Sequence, residues 1–346
     1  MSFDTTMSRT ELTDILEDYG IGTVTALSPL PLGPVNGGYC LETPRGRHLL
    51  RVETGKGELD VKRELDLLVY LRKHGLPCPQ PLTDRKGRLY RESRGGQHLS
   101  LYRWLDSNAK RPDSLTATRL ETVGRALAEL HLVGKSYKKG IENRFTFERV
   151  AEIYSELRDR LPHYYRKVVR TLDDEFGYLE HYLEQKLPRG IIHGDIRPEH
   201  LLFRGDKLVA ILEFETASRG KFISDLATSV NALCVDAGGY DLKRFEALIA
   251  GYESVRPLSL AEWDAFPNEL RLSALRFTVT RMRDALLRPN DGGRADKDFR
   301  EFYERLRILR REREGGMEAL LMAMATGYDY RKYQRIKALE KRGSSR

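Results

Sequence analysis

The hydrophobic pattern begins helical, turns to strands and returns to helices. Residues 9–19 put Leu12, Ile15, Leu16 and Tyr19 on one helical face, with Gly20 as the stop. A glycine-containing turn between strands covers 32–43, and Arg45-Gly46-Arg47 leads into the apolar run His48–Val52. The next helix is expected from Leu59 to His74, with Leu65, Leu68 and Leu71 inward. Gly75-Leu76-Pro77-Cys78-Pro79-Gln80-Pro81 cannot be helical and reads as an extended connection into two strands, Arg88–Glu92 and His98–Trp104. From Asp106 polar residues replace the alternation, and most of the remaining chain is helical. Thr116–Gly134 carries Leu120, Val123, Leu127 and Leu130 at helical spacing, and 145–186 gives one or two amphipathic helices broken near Pro162. Asp241–Val255 and Leu260–Pro289 are divided by Arg256-Pro257. One stretch interrupts these helices. Residues 189–215 read as strand, polar loop, strand, a tight turn at Arg204-Gly205-Asp206-Lys207, and a strand ending in Glu213 and Glu215, so carboxylates gather at strand ends.

At 346 residues and 40% hydrophobic, the chain exceeds what one core usually supports. The expected division is a β-rich lobe over 1–105, a mostly helical lobe over 106–315 and a basic tail over 316–346. The net charge of +8 is unevenly placed, because residues 331–346 hold seven basic residues against one acid. A solvated tail accounts for most of the excess, and no aromatic interleaving or motif points to nucleic acid. Cys40, Cys78 and Cys234 are odd in number and lack metal-ligand spacing, which suits buried thiols in a reducing compartment. No apolar run approaches the ~18 residues of a membrane helix. The first residues, Met1-Ser-Phe-Asp-Thr-Thr, show no basic region followed by an apolar stretch. A cytoplasmic protein is therefore expected.

The candidate chemistry lies in the interrupting stretch. An apolar strand enters His193-Gly194-Asp195, five residues lead to His200, and a second apolar strand ends at Glu213. Phosphoryl transfer needs this layout, with one Asp to accept a hydroxyl proton and a second acid with a side-chain donor to hold the metal that bridges the nucleotide phosphates. Arg197, two residues beyond Asp195, is placed to neutralise charge on the transferring phosphate. His193 reads as a support for the loop and His131 as a packed core histidine. Asp225 opens an apolar helix, where a carboxylate is favoured by the dipole.

The stretch resembles the catalytic and metal-binding loops of the aminoglycoside phosphotransferase and choline kinase superfamily, whose usual pattern is His-Gly-Asp-x-x-x-x-Asn followed by Ile-Asp-Phe/Trp. Two positions depart from it: His200 stands where Asn is usual and Glu213 where Asp is usual. The resemblance implies an α+β, bilobal, protein-kinase-like fold that uses ATP with magnesium, or manganese in view of His200. It implies a nucleotide-covering loop containing Gly33, Asn36, Gly37 and Gly38, with Arg51 on the phosphates and Glu64 orienting Arg51. Leu101, Tyr102 and Arg103 would neighbour the adenine, Asp225 would accept hydrogen bonds from the catalytic-loop backbone, and His200 and Glu213 would form the metal shell. Gly33-x-x-Asn36, Gly75-Leu76-Pro77-Cys78-Pro79, Asn231-Ala232-x-Cys234 and Ala274-Leu275-Arg276-Phe277-x-x-Thr280-Arg281 also resemble one branch, the choline-kinase-like form of bacterial homoserine kinase, over residues 10–312. That branch implies phosphorylation of a small amino alcohol such as homoserine, for whose carboxylate Arg276 and Arg281 are candidates. The two departures leave an alternative, a kinase-shaped protein that binds nucleotide or a partner without turnover.

Overall fold

The computed structural model describes residues 9–31, 36–53, 55–106, 115–184, 186–236, 239–287 and 298–315. The first part is an antiparallel sheet with two helices. In chain order it runs α1 (Arg9–Glu17), β1 (Ala26–Pro31), β2 (Asn36–Thr43), β3 (Gly46–Glu53), α2 (Glu58–Lys73), β4 (Arg91–Glu92) and β5 (His98–Arg103). The sheet order is β1-β2-β3-β5-β4. Side chains alternate across a pleated strand. Leu50 and Val52 of β3 therefore pack with Leu99 and Leu101 of β5 against Ile15, Leu16 and Tyr19, closing a small core under α1. The same alternation turns Arg51 and Glu53 to the opposite face.

The second part is mainly helical and contains α3 (Ala117–Lys135), α4 (Phe147–Arg158), α5 (Arg166–Tyr182), α6 (Phe222–Leu233), α7 (Leu242–Glu253), α8 (Leu260–Leu287) and α9 (Arg300–Gly315). Thr116, Thr146 and Asp241 each accept a backbone N–H at the start of α3, α4 and α7, as N-cap residues do. Between α5 and α6 lie two small antiparallel pairs. β6 (Arg189–Ile192) pairs with β9 (Ser218–Lys221), and β7 (Leu201–Arg204) pairs with β8 (Lys207–Ile211). One large core joins the helices, these strands and the inner face of α2. Tyr70 on α2 donates to the Val133 carbonyl of α3 at 3.1 Å, which ties the sheet region to the helical region. Among the described residues, no helix is long and apolar enough to cross a membrane.

Candidate active site

The loop between β6 and β7 carries Asp195, and its backbone is anchored from below. Asp225, fully buried near the start of α6, accepts the amides of His193 at 2.7 Å and Gly194 at 2.8 Å. His131 on α3 donates Nε2–H to the same carboxylate at 3.1 Å while its Nδ1 accepts from the Tyr252 hydroxyl at 2.7 Å. Arg256 then donates to Tyr252 at 3.0 Å and pairs with Glu262 at 2.7 Å. Burial penalises the Asp225 charge, but its hydrogen bonds outweigh this and hold its carboxyl below the usual carboxylate range. His193 braces the loop, as its sequence position suggests. Its Nε2 donates to the Leu212 carbonyl at 2.8 Å and its Nδ1 accepts the Asp195 amide at 3.2 Å.

Asp195 is gripped by Arg197. The guanidinium places Nε 2.8 Å from Oδ1 and donates Nη2 to Oδ2 at 3.0 Å. Burial opposes the charge of Asp195, yet Arg197, His200 and Arg276 hold its carboxyl below the ordinary range, so it is ionised at neutral pH. His200 has both ring nitrogens engaged by this loop. Nδ1 donates to the Asp195 carbonyl at 2.7 Å, and Nε2 accepts from Arg197 at 3.2 Å.

Across the cleft, the residues turned outward from β3 meet α2. Arg51 pairs with Glu64 at 2.8 Å, the partner expected of it, and also with Glu53 at 2.8 Å. Its other nitrogen is 4.0 Å from Glu213. Lys56 lies among Glu53, Glu64 and Glu215 at 3.1, 3.0 and 3.0 Å. Four carboxylates thus surround two cations. Burial pushes the Glu213 carboxyl up, with Glu215 and Glu64 adding to the effect and Arg51 opposing it. Glu213 has φ 60°, the only positive φ at a non-glycine position among the described residues. Such backbone is costly for a residue with a Cβ, and it occurs here where the chain turns out of β8. Glu53, Glu64 and Glu215 are each held by Arg51 or Lys56 within 3.1 Å, so Glu213, 4.0 Å from Arg51, is the member of this group whose hard oxygens would face a divalent cation such as magnesium. The nitrogen donor expected from His200 is not brought to it, because the loop holds that ring. Among the described residues, no group of three or more His, Cys, Asp or Glu side chains is arranged to hold a metal ion.

The remaining expected residues divide. Gly38 on β2 pairs directly with Arg51, and Gly37 with Val52, so the glycine strand lies beside the phosphate-binding candidate. Gly33 and the side chain of Asn36 lie outside the described residues. The Leu101 carbonyl accepts from Leu82 at 2.7 Å, and the Arg103 amide donates to Gln80 at 3.0 Å. These backbone groups of the expected adenine neighbours are therefore engaged within the sheet region, Tyr102 is buried between them, and the next amide, Trp104, donates to the Arg47 carbonyl at 3.4 Å. Arg276 borders a cavity of about 290 Å³ together with Gly194, from the loop that carries Asp195, and Asp225. It donates to the Gly194 carbonyl at 2.6 Å and stacks on Phe145, and burial brings its guanidinium down to about 10. Arg281 is a correction to the expectation. Five residues further along a helix is a rotation of about 140° from Arg276, so Arg281 faces α9, where it pairs with Glu301 and stacks on Phe302. Glu53 and Lys56 were not legible as site residues, since only the pairing of distant elements gathers their charges with that of Glu215. The period-2 pattern that turns Arg51 to the cleft also implies the direction of Glu53.

A family model described as the phosphotransferase enzyme family matches residues 27–258. A homoserine kinase of Parvibaculum lavamentivorans is 31% identical over 303 residues, covering 87% of this chain and 93% of that protein. A homoserine kinase of Brucella anthropi is 32% identical over 313 residues, covering 90% and 95%. Among solved structures, a microcompartment-associated aminopropanol kinase superposes with a TM-score of 0.69 at 20% identity over 89% of this chain and 98% of that one, a likeness of fold.

Proposed function

Because the chain belongs to the phosphotransferase enzyme family, we propose that this small-molecule phosphotransferase moves the γ-phosphoryl of ATP to the hydroxyl of homoserine or a close amino alcohol. The nucleotide would lie between residues 1–105 and 106–315. Gly37, Gly38 and Arg51 would border its phosphates, and Glu64 would keep Arg51 extended toward them. Asp195 aligns the acceptor hydroxyl. A carboxylate held below its usual pKa is a weak base, which suits a loose transition state in which the hydroxyl proton leaves late. Arg197, which now faces Asp195, gains a second anionic partner when phosphate oxygens enter, and it can stabilise the charge that develops on them. Glu213 would hold magnesium, and the bound ion supplies neutralisation of the phosphate oxygens. Arg276 would take the acceptor's carboxylate in the cavity behind Gly194. That volume lies at the lower end of ligand pockets, about 300 Å³, and suits a small acceptor.

The carrying observation is the fixed placement of an ionised Asp195 on a loop pinned by Asp225, next to a cavity walled by Gly194 and Arg276. Asp195→Asn should lower turnover of homoserine by roughly 10²–10⁴-fold, the range for loss of a general base. Nucleotide affinity measured by calorimetry should stay near that of the wild type. Substantial turnover by the variant would sink the assignment.

A further inference from the structure

The cavity beside the loop that carries Asp195 has two charged ends on one helix. Glu269, Leu272, Ser273 and Arg276 of α8 all line it. Their spacing of three, four and seven residues puts them on one face. Glu269 and Arg276 are two turns apart, about 10.5 Å along the axis at 1.5 Å per residue. At the end beside Gly194, the Arg276 Nε is buried and has no hydrogen-bond partner. At the other end Glu269 is fully buried, with Oε1 in an ion pair with Lys221 and Oε2 without a partner. Lys221 is itself shared, since it donates to the Glu184 carbonyl at 3.2 Å. A buried carboxylate with unused acceptor sites costs stability unless something fills them. The charges lining this cavity also balance. Glu148, Asp225 and Glu269 stand against Arg189, Lys221 and Arg276. A balanced wall with its charges separated suits a ligand that is neutral overall and carries both signs. A net anion or a net cation would leave one end unmatched.

We propose that Glu269 is a specificity-determining residue that accepts the ammonium group of the acceptor on its free oxygen, while Arg276 takes the carboxylate. This rests on the reading of the chain as a kinase of small amino alcohols, and it adds the residue that rejects acceptors lacking the amine. Lys221 pairs with the other oxygen.

The test compares three acceptors with the full-length protein, ATP and magnesium: homoserine, its deaminated analogue 4-hydroxybutanoate, and its decarboxylated analogue 3-aminopropan-1-ol. Wild-type protein should favour homoserine over 4-hydroxybutanoate in kcat/KM. Glu269→Gln should raise the KM for homoserine at least about tenfold, the factor for one hydrogen bond between charged groups. It should leave the values for 4-hydroxybutanoate and ATP near those of the wild type, so that the preference collapses. If Glu269→Gln melts early because Lys221 is left unpaired, the double variant K221M/E269Q removes both charges at similar volume and should show the same collapse. Retained preference in a folded variant, or an equal loss for both acceptors, would overturn the role of Glu269 while leaving the kinase reading standing. Absence of turnover and of calorimetric binding for all three acceptors in the wild type would overturn both.

Discussion

Buried histidines fix the loop in one protonation state. His131 and His193 are fully enclosed, and burial moves both imidazoles below their ordinary value. The hydrogen bonds of His193 also specify a neutral ring, since Nε2 faces a carbonyl that can only accept and Nδ1 an amide N–H that can only donate. Both should stay neutral as pH falls through about 6.5, where a free histidine takes up its proton. The unfolded chain binds those protons first, so the contribution of these two residues to stability is present above that pH and declines below it. Glu53, Glu213 and Glu269 act in the opposite sense, because burial raises their carboxyls and their protonation in the fold relieves that cost. The histidine behaviour is best read at the rings by NMR. Two imidazoles should keep neutral chemical shifts at pH 6, and protonation of both above 6.5 would contradict the arrangement. At this scale the motif positions of Asp195, Arg197, Arg51 and Glu64 announced pairings that the structure contains, Asp195 with Arg197 and Arg51 with Glu64. Arg276 and Arg281 were not separable, because they share a residue type and a helix, and only the packing of α9 shows which faces the cavity.

Among the elements, the crossing of α3 and α7 sets the depth of the loop's support. Gly124 and Gly251 lie at the closest approach, where a Cβ on Gly251 would collide with the Glu121 carbonyl and a Cβ on Gly124 with the Leu248 carbonyl. Backbone is the obstacle in both cases, so a side chain cannot simply swing away. Gly251→Ala should therefore destabilise the fold by about 3 kcal/mol or more, the upper part of the range for overpacking. Denaturant unfolding would measure it, and a change below about 1 kcal/mol would show that the helices can separate. Helical periodicity made α2, α3 and α7 legible to within a few residues of their ends. Strand β1 was less so, because Pro29 and Pro31 argue against a strand; it is tolerated as an edge strand, paired on one side only. Likewise Ser218-Arg-Gly-Lys221 has no strand pattern, and its pairing with β6 exists because Gly220 lets the two backbones meet against Ile192.

Over the whole molecule, one hydrogen-bonded chain runs from the helical core to the loop that carries Asp195. It starts at Glu262 of α8, passes through Arg256, Tyr252 of α7 and His131 of α3, and ends on Asp225 of α6, which holds the two loop amides. None of its buried side-chain nitrogen or oxygen atoms lacks a partner, and every member is buried. Bonded partners along it are separated by up to 121 positions, so no local pattern announces it. Tyr252→Phe removes one hydroxyl near the middle and leaves the His131 Nδ1 and one Arg256 nitrogen without that partner. The cost should be about 1–3 kcal/mol of stability, as for a buried group left unsatisfied. If the chain only holds the core together, the surviving folded fraction would work at the normal rate. If it positions the loop, kcat per folded molecule should fall several-fold while the KM for ATP, whose phosphates we propose meet Gly38 and Arg51, stays unchanged. Rates corrected for folded fraction by parallel thermal melts distinguish the two, and a normal corrected kcat would confine Tyr252 to stability.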